Sequence, residues 1–303
     1  MQQHLCLASP FFGLTNPREI TTAVFKKSSV WKAPTTLKYT FIECTQCTVD
    51  PCVPEWVSLK PIERSGKPYY KTIEEHARTL QSLPEIFKFV IQQVVQPILT
   101  KVQIDWVNDP RQADVRIQFC KNAGSWSLIG SEARGAPWYQ ATLNIGWLDV
   151  GTIIHEFCHS LGMLHEHQNP RGKPIQWNKE KVYEWAAQTQ GWSRQETDTQ
   201  ILIPASMDTT NGSEFDPQSI MLYFFSPELT LDGESSTPNY TLSNLDQVWL
   251  QKYYGDENAR VAETSSTPPQ SKEMLHKTNF IVIISIVVVI LLLLLLLVRA
   301  LMH

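Results

Sequence analysis

The stretch Gly151-Thr152-Ile153-Ile154-His155-Glu156-Phe157-Cys158-His159-Ser160-Leu161-Gly162-Met163-Leu164-His165 has the form H-E-x-x-H-x-x-G-x-x-H. On a helix, His155 and His159 stand at i and i+4, so both imidazoles leave one face a single turn apart. Two ring nitrogens so placed can reach one metal ion at roughly 2.0–2.1 Å, the usual distance for zinc. Gly162 is suited to end the helix, because glycine enters the left-handed conformation cheaply. The chain can then turn back and bring in His165 as a third ligand. Three histidines leave a fourth position open for water, which marks a catalytic rather than a structural zinc site. Glu156, beside the first ligand, is placed to accept the proton of that water. The plain alternative is a buried helix carrying scattered histidines. A glycine and a third histidine at fixed offsets make chance a poor explanation.

The rest of the chain sets the context for this motif. It has 303 residues, enough for one large domain or two small ones. A hydrophobic content of 43% and ten tryptophans allow a sizeable core. The net charge is −4, with Lys and Arg dispersed rather than striped, so a nucleic-acid partner is excluded. Six cysteines occur. Cys158 lies within the zinc motif and is expected on the core side as a small apolar group. Cys44, Cys47 and Cys52 form C-x2-C-x4-C with no matching cluster elsewhere. A disulfide or plain thiols is therefore expected there, rather than a second zinc.

Residues 1–15 lack a basic region followed by a long apolar core, so they make a poor signal peptide. Cys6 could block a zinc as thiolate, although a lone early cysteine is more often incidental. Residues 280–298 are nineteen residues, all Phe, Ile, Val or Leu except Ser285. As a helix they would measure roughly 28 Å, close to the hydrocarbon thickness of a bilayer. A membrane span is the expectation, with the lipid bilayer as partner through residues 280–298. Lys272 and Lys277 before this stretch outnumber Arg299 after it, which favours a cytosolic catalytic domain. Two glycosylation sequons, Asn211-Gly212-Ser213 and Asn239-Tyr240-Thr241, point the other way.

In chain order, residues 31–42 place Leu37, Tyr39 and Phe41 at alternate positions and read as a strand. Residues 43–71 are rich in Pro and Cys and read as a loop insertion. Ser82-Leu83-Pro84-Glu85 is a helix start. The apolar recurrence of Ile86, Phe87, Val90, Ile91, Val94 and Val95 that follows is core packing, and Pro97 ends it. Residues 102–107, 114–119 and 141–148 read as strands, with Asp149 capping the zinc helix. Residues 178–188 read as a short helix, 189–215 as irregular, and Ser243-Asn244-Leu245-Asp246 as the start of a last helix stopped by Gly255. Residues 256–278 are polar and carry Pro268 and Pro269, so they read as a disordered stalk.

Asp216-Pro217-Gln218-Ser219-Ile220-Met221-Leu222-Tyr223 supplies a second constellation. The long zinc motif together with S-I-M-x-Y resembles the metzincin clan of zinc peptidases, and within it the astacin-like family. The segments Gly124-Ser125-Trp126, His165-Glu166-His167-Gln168-Asn169-Pro170 and Ile175-Gln176-Trp177-Asn178 are similar to a bacterial and fungal branch of that family. The resemblance runs from about residue 31 to residue 255.

It implies an α+β fold of two lobes, a twisted mixed sheet with two long helices above and an irregular lobe below. Between them a cleft would take an extended peptide along an edge strand. One zinc ion per chain would be held by His155, His159 and His165, with Glu156 as general base. Met221 would form an apolar floor under the metal. Tyr223 would be a fifth ligand that swings to hold the developing oxyanion. His167 is at the wrong spacing from Gly162 for a ligand and is expected to be structural. The animal astacins' R-x-D-R-D run is Gln168-Asn169-Pro170-Arg171-Gly172 here. Leu222 stands for their His, and their paired disulfide cysteines and prodomain aspartate switch are not evident. Their Glu at position 166 meets the matured N-terminus, a role not carried over here.

The expected organisation is an N-terminal arm (1–29), a zinc peptidase domain (30–255), a stalk (256–279), a transmembrane helix (280–298) and a short tail (299–303). The expected activity is that of a membrane-anchored zinc endopeptidase acting on protein or peptide substrates. The rival expectation is a catalytically silent, membrane-tethered binding module.

Overall fold

The structure, a computed structural model, describes residues 7–8, 25–44, 53–56, 68–171, 175–212 and 214–256. The chain divides after Asp256 into two units, residues 1–256 and 257–303. The expected stalk and span, residues 256–279 and 280–298, thus lie almost wholly outside the described residues. No helix among the described residues is long and apolar enough to cross a membrane.

The elements in order are β1 (Leu7–Ala8), β2 (Phe25–Lys26), β3 (Thr35–Phe41), α1 (Pro68–Ala77), α2 (Leu83–Val94), β4 (Val102–Trp106), β5 (Val115–Gln118), β6 (Trp126–Ser127) and β7 (Leu143–Asn144). There follow α3 (Val150–Ser160), α4 (Lys179–Gln190), α5 (Arg194–Thr197), β8 (Thr210–Asn211) and α6 (Asn244–Tyr254). Six strands form one mixed sheet in the order β1-β6-β7-β5-β3-β4. Every pairing in it is parallel except β6 with β7, where Trp126 faces Asn144 and Ser127 faces Leu143. The alternation expected along β3 holds for Leu37 and Tyr39, both fully buried.

The helix over α2 begins as its sequence dictates. Ser82 Oγ accepts a hydrogen bond from Glu85 N at 3.3 Å, Pro84 sits in the first turn, and Ile86, Phe87, Val90, Ile91 and Val94 are buried. Each such burial stabilises the fold by about 1.5–3 kcal/mol. Phe87 meets Phe157 of α3 edge to face at 6.3 Å, and Tyr39 stacks on Phe157 at 5.2 Å. The zinc-motif helix is thus clamped between α2 and the sheet.

Three sequence expectations need correction. Only Leu143–Asn144 of the expected strand 141–148 pairs in the sheet. Asn144 turns its side chain to Cys120 N and O, and the backbone at Gly146 lies so close to Gly124 that a Cβ there would fall 2.5 Å from its carbonyl. The chain therefore leaves the sheet early. The insertion 43–71 is not loop to its end, because α1 starts at Pro68. Residues 189–215 carry α5, capped by Ser193 and Glu196, a π-helical turn at Asp198–Leu202 and β8. In that region local caps organise a segment whose composition is polar.

A second, smaller core lies under the first. It gathers Val182, Ala186, Trp192, Ile201, Leu202, Leu222, Tyr223, Phe225 and Leu229. Met221 belongs to the first core and Leu222 to the second, so the peptide bond between them joins the two.

Candidate metal centre and catalytic site

Helix α3 opens at Asp149, whose carboxylate accepts from Gly151 N. It closes against partners far away in sequence. The last carbonyls of a helix have no intrahelical donors. Here Ser160 Oγ donates to Phe157 O at 2.7 Å, Trp31 Nε1 donates to Ser160 O at 2.8 Å, and Tyr254 Oη donates to Leu161 O. Gly162 then takes φ +100°, a region that L side chains rarely adopt. That reversal returns Met163 O to His159 Nδ1, which donates to it at 2.7 Å.

The three histidines converge. His155, His159 and His165 each offer a ring nitrogen, and these atoms all lie within 4.8 Å of one another. The Nδ1 of His155 donates to Ile220 O at 2.8 Å. With both Nδ1 atoms spent on carbonyls, His155 and His159 are fixed as Nδ1–H tautomers with Nε2 lone pairs turned inward. His159 Nε2 faces His165 Nε2 at 3.0 Å, and His155 Nε2 is buried with no hydrogen-bond partner. A divalent ion would satisfy all three lone pairs. Burial holds His155 down to about 4, against the bond to Ile220, and drives His159 and His165 well below the ordinary imidazole range. Neutral imidazole is the form that binds zinc.

Around this centre the expected residues fall as follows. Glu156 is fully buried on α3. Met221 is fully buried, and its carbonyl accepts from Glu166 N at 3.0 Å. Tyr223 is buried with its ring 4.2 Å from that of His165 and 6.4 Å from that of His155. His167 lies outside the converging trio. It bonds Gln200 O at 3.0 Å and stacks on Tyr223 at 4.4 Å and on His165 at 5.3 Å, so the three rings pack in mutual contact. Glu166 accepts from Asn169 Nδ2 and Asp216 N, and burial raises its carboxyl to about 8. Cys158 is buried, its thiol pushed up by desolvation, as a core cysteine should be. Cys6, Cys47 and Cys52 lie outside the described residues. Among the described residues the His trio is the one cluster that could hold a metal.

Side chains the sequence did not single out hold the turn that carries Met221. Asn239 Nδ2 donates to Pro217 O and Ser219 O, both at 2.9 Å. Asp246 accepts from Ser219 Oγ and from Ile220 N. The only sequence signal for Asp246 was its place as the third residue after the Ser243 helix cap.

This geometry defines a zinc hydrolase site on an α+β scaffold. Residues 78–237, more than half of the chain, match the family model described as Astacin, a peptidase family. A stretch of 99 residues is 34% identical to astacin-like metalloprotease toxin 4 of Loxosceles laeta, covering 32% of this chain and 76% of the toxin. The solved structure of myroilysin superposes with a TM-score of 0.56 at 26% identity, covering 77% of this chain and 99% of that one. The protein is a zinc metalloendopeptidase, and it belongs to the astacin family.

Proposed function

We propose that this protease cleaves extended polypeptides with Glu156 as general base and Tyr223 as oxyanion donor, and that it is held at a membrane by residues 280–298. The convergence of three lone pairs, two of them fixed by backbone carbonyls, carries the reading. Bound zinc would lower the pKa of a coordinated water to about 7 and polarise the scissile carbonyl. Glu156 takes the proton of the attacking water and passes it to the leaving amine. Tyr223, packed against His165 and His167, would donate its hydroxyl to the developing oxyanion.

An extended substrate would add to the sheet at β6, the outermost strand packed on α3. That edge is already paired with Leu7–Ala8 in parallel register. Leu7–Ala8 would therefore compete with substrate. Their removal is expected to lower KM for an unstructured substrate such as casein severalfold, with kcat unchanged. An unaltered KM would refute the competition.

The reading is tested on the full chain. Casein cleavage should vanish on chelation and return with one equivalent of zinc. Persistent cleavage by the metal-free protein would overturn it. Deleting residues 280–298 should move the protein from the membrane pellet to the supernatant of a carbonate-washed preparation, with peptidase activity retained. If both forms fractionate alike, the anchor is wrong.

A further inference from the structure

The turn beneath the histidines contains a continuous line of hydrogen bonds. His155 Nδ1 donates to Ile220 O at 2.8 Å. The N–H of the same peptide unit, at Met221, donates to Ser219 Oγ at 3.0 Å. Ser219 Oγ donates onward to Asp246 Oδ1 at 2.7 Å. The other carboxylate oxygen, Oδ2, accepts from Ile220 N and from Ser243 N, both at 2.9 Å. Ser219 and Asp246 are both buried, and among the described residues Asp246 has no Lys or Arg in ion-pair contact.

A histidine that binds a metal commonly donates its second N–H to a carboxylate or carbonyl, which fixes the ring and raises its basicity. Here a carboxylate acts at one remove. It polarises a hydroxyl, the hydroxyl polarises a peptide unit, and the peptide carbonyl holds the imidazole. Bonds in such a chain strengthen one another in a low-dielectric interior. The same carboxylate has hydrogen-bond donors but no paired cation among the described residues, which is costly for a buried charge unless a cation answers it. The cation it can answer is the one that His155 binds.

We propose that Asp246, acting through Ser219 and the Ile220–Met221 peptide unit, is a positioning residue that sets the orientation of His155 and the zinc affinity of the site. This rests on His155 being a ligand. Two carboxylates have distinct duties at this point. Asp216 accepts from Ser243 Oγ at 2.5 Å and Gln218 N at 2.9 Å and shapes the turn, while Asp246 reaches the imidazole.

The test compares four variants of the full chain by competition for zinc against a chromophoric chelator, and by the visible spectrum of the cobalt-substituted protein. Asp246→Asn keeps the shape but removes the charge. It should raise the zinc dissociation constant about 10–100-fold and shift the cobalt bands. Ser219→Ala interrupts the line while leaving Asp246 bonded to Ile220 N, and should weaken zinc in the same direction. Ser82→Ala, which uncaps α2 and bonds no residue of the line, should lower the melting temperature of the apoprotein and leave zinc affinity within about twofold. A merely structural Asp246 would instead behave like Ser82. Unchanged zinc affinity and cobalt spectrum in Ser219→Ala and in any folded Asp246→Asn would overturn the proposal. His155→Ala separates the two failures. If it binds zinc as tightly as the natural protein, the ligand assignment itself is at fault.

Discussion

Glu156→Gln is expected to cut kcat by on the order of 10²–10⁴-fold while zinc remains bound at one equivalent per chain. Glutamine has the size and shape of glutamate, so the fully buried position on α3 stays filled and the helix keeps its packing. The metal ligands on either side, His155 and His159, retain their carbonyl partners Ile220 and Met163. What goes is the carboxylate proposed to take a proton from water and return it to the amine. Bulk solvent cannot replace it at a buried position. Steady-state cleavage of a quenched peptide, with metal content measured on the same sample, separates the two effects. Normal turnover would show that another group is the base, and loss of zinc would show that Glu156 serves the metal.

The second large effect is acid lability of the metal-free protein. His155 and His167 are both held down to about 4 by burial, against an ordinary value of 6.5. A depressed histidine favours the neutral form in the folded state. The unfolded chain takes up protons as pH falls below about 6.5, while the folded chain does so only near 4. Stability is therefore full above about pH 6.5 and declines across the window from there to about 4. Each group contributes up to about 3 kcal/mol to the loss. That is a large share of the roughly 5–15 kcal/mol typical of a domain. Protons and zinc compete for the same lone pairs, so the holoprotein should lose metal in the same window. Urea midpoints of the chelated protein at pH 7.5, 6.5, 5.5 and 4.5 provide the check. A flat series would mean that these histidines are hydrated after all.

The metal centre was legible because its geometry is local. One turn of helix and one glycine fix His155, His159 and His165 within eleven residues, and the structure brings those three together. Helix α2 was legible for a similar reason, with its cap, its proline and its apolar spacing all in one window. The roles proposed for Met221 and Tyr223 were visible only through resemblance, since neither residue carries a local sign of a task at the metal. The cradle around them was not visible. Asn239, Ser219 and Asp246 meet across long intervals of chain, and each has an ordinary local reading as a loop amide, a turn hydroxyl or a helix cap. Strand β7 was overestimated because apolar character runs on past Asn144, whereas pairing stops where that side chain turns back to Cys120. Polar composition hid α5 and β8 within residues 189–215.

The amide of Asn239 commits both of its hydrogens, one to Pro217 O and one to Ser219 O. An oligosaccharide attached at that nitrogen would consume one of them and loosen the loop on which the metal-binding pocket rests. Asn211 is less constrained, since its amide donates to the Tyr253 hydroxyl at the end of a short ribbon. Any sugar on the active enzyme is therefore expected at Asn211, and a mobility shift on deglycosylation should disappear when Asn211 alone is replaced by Gln.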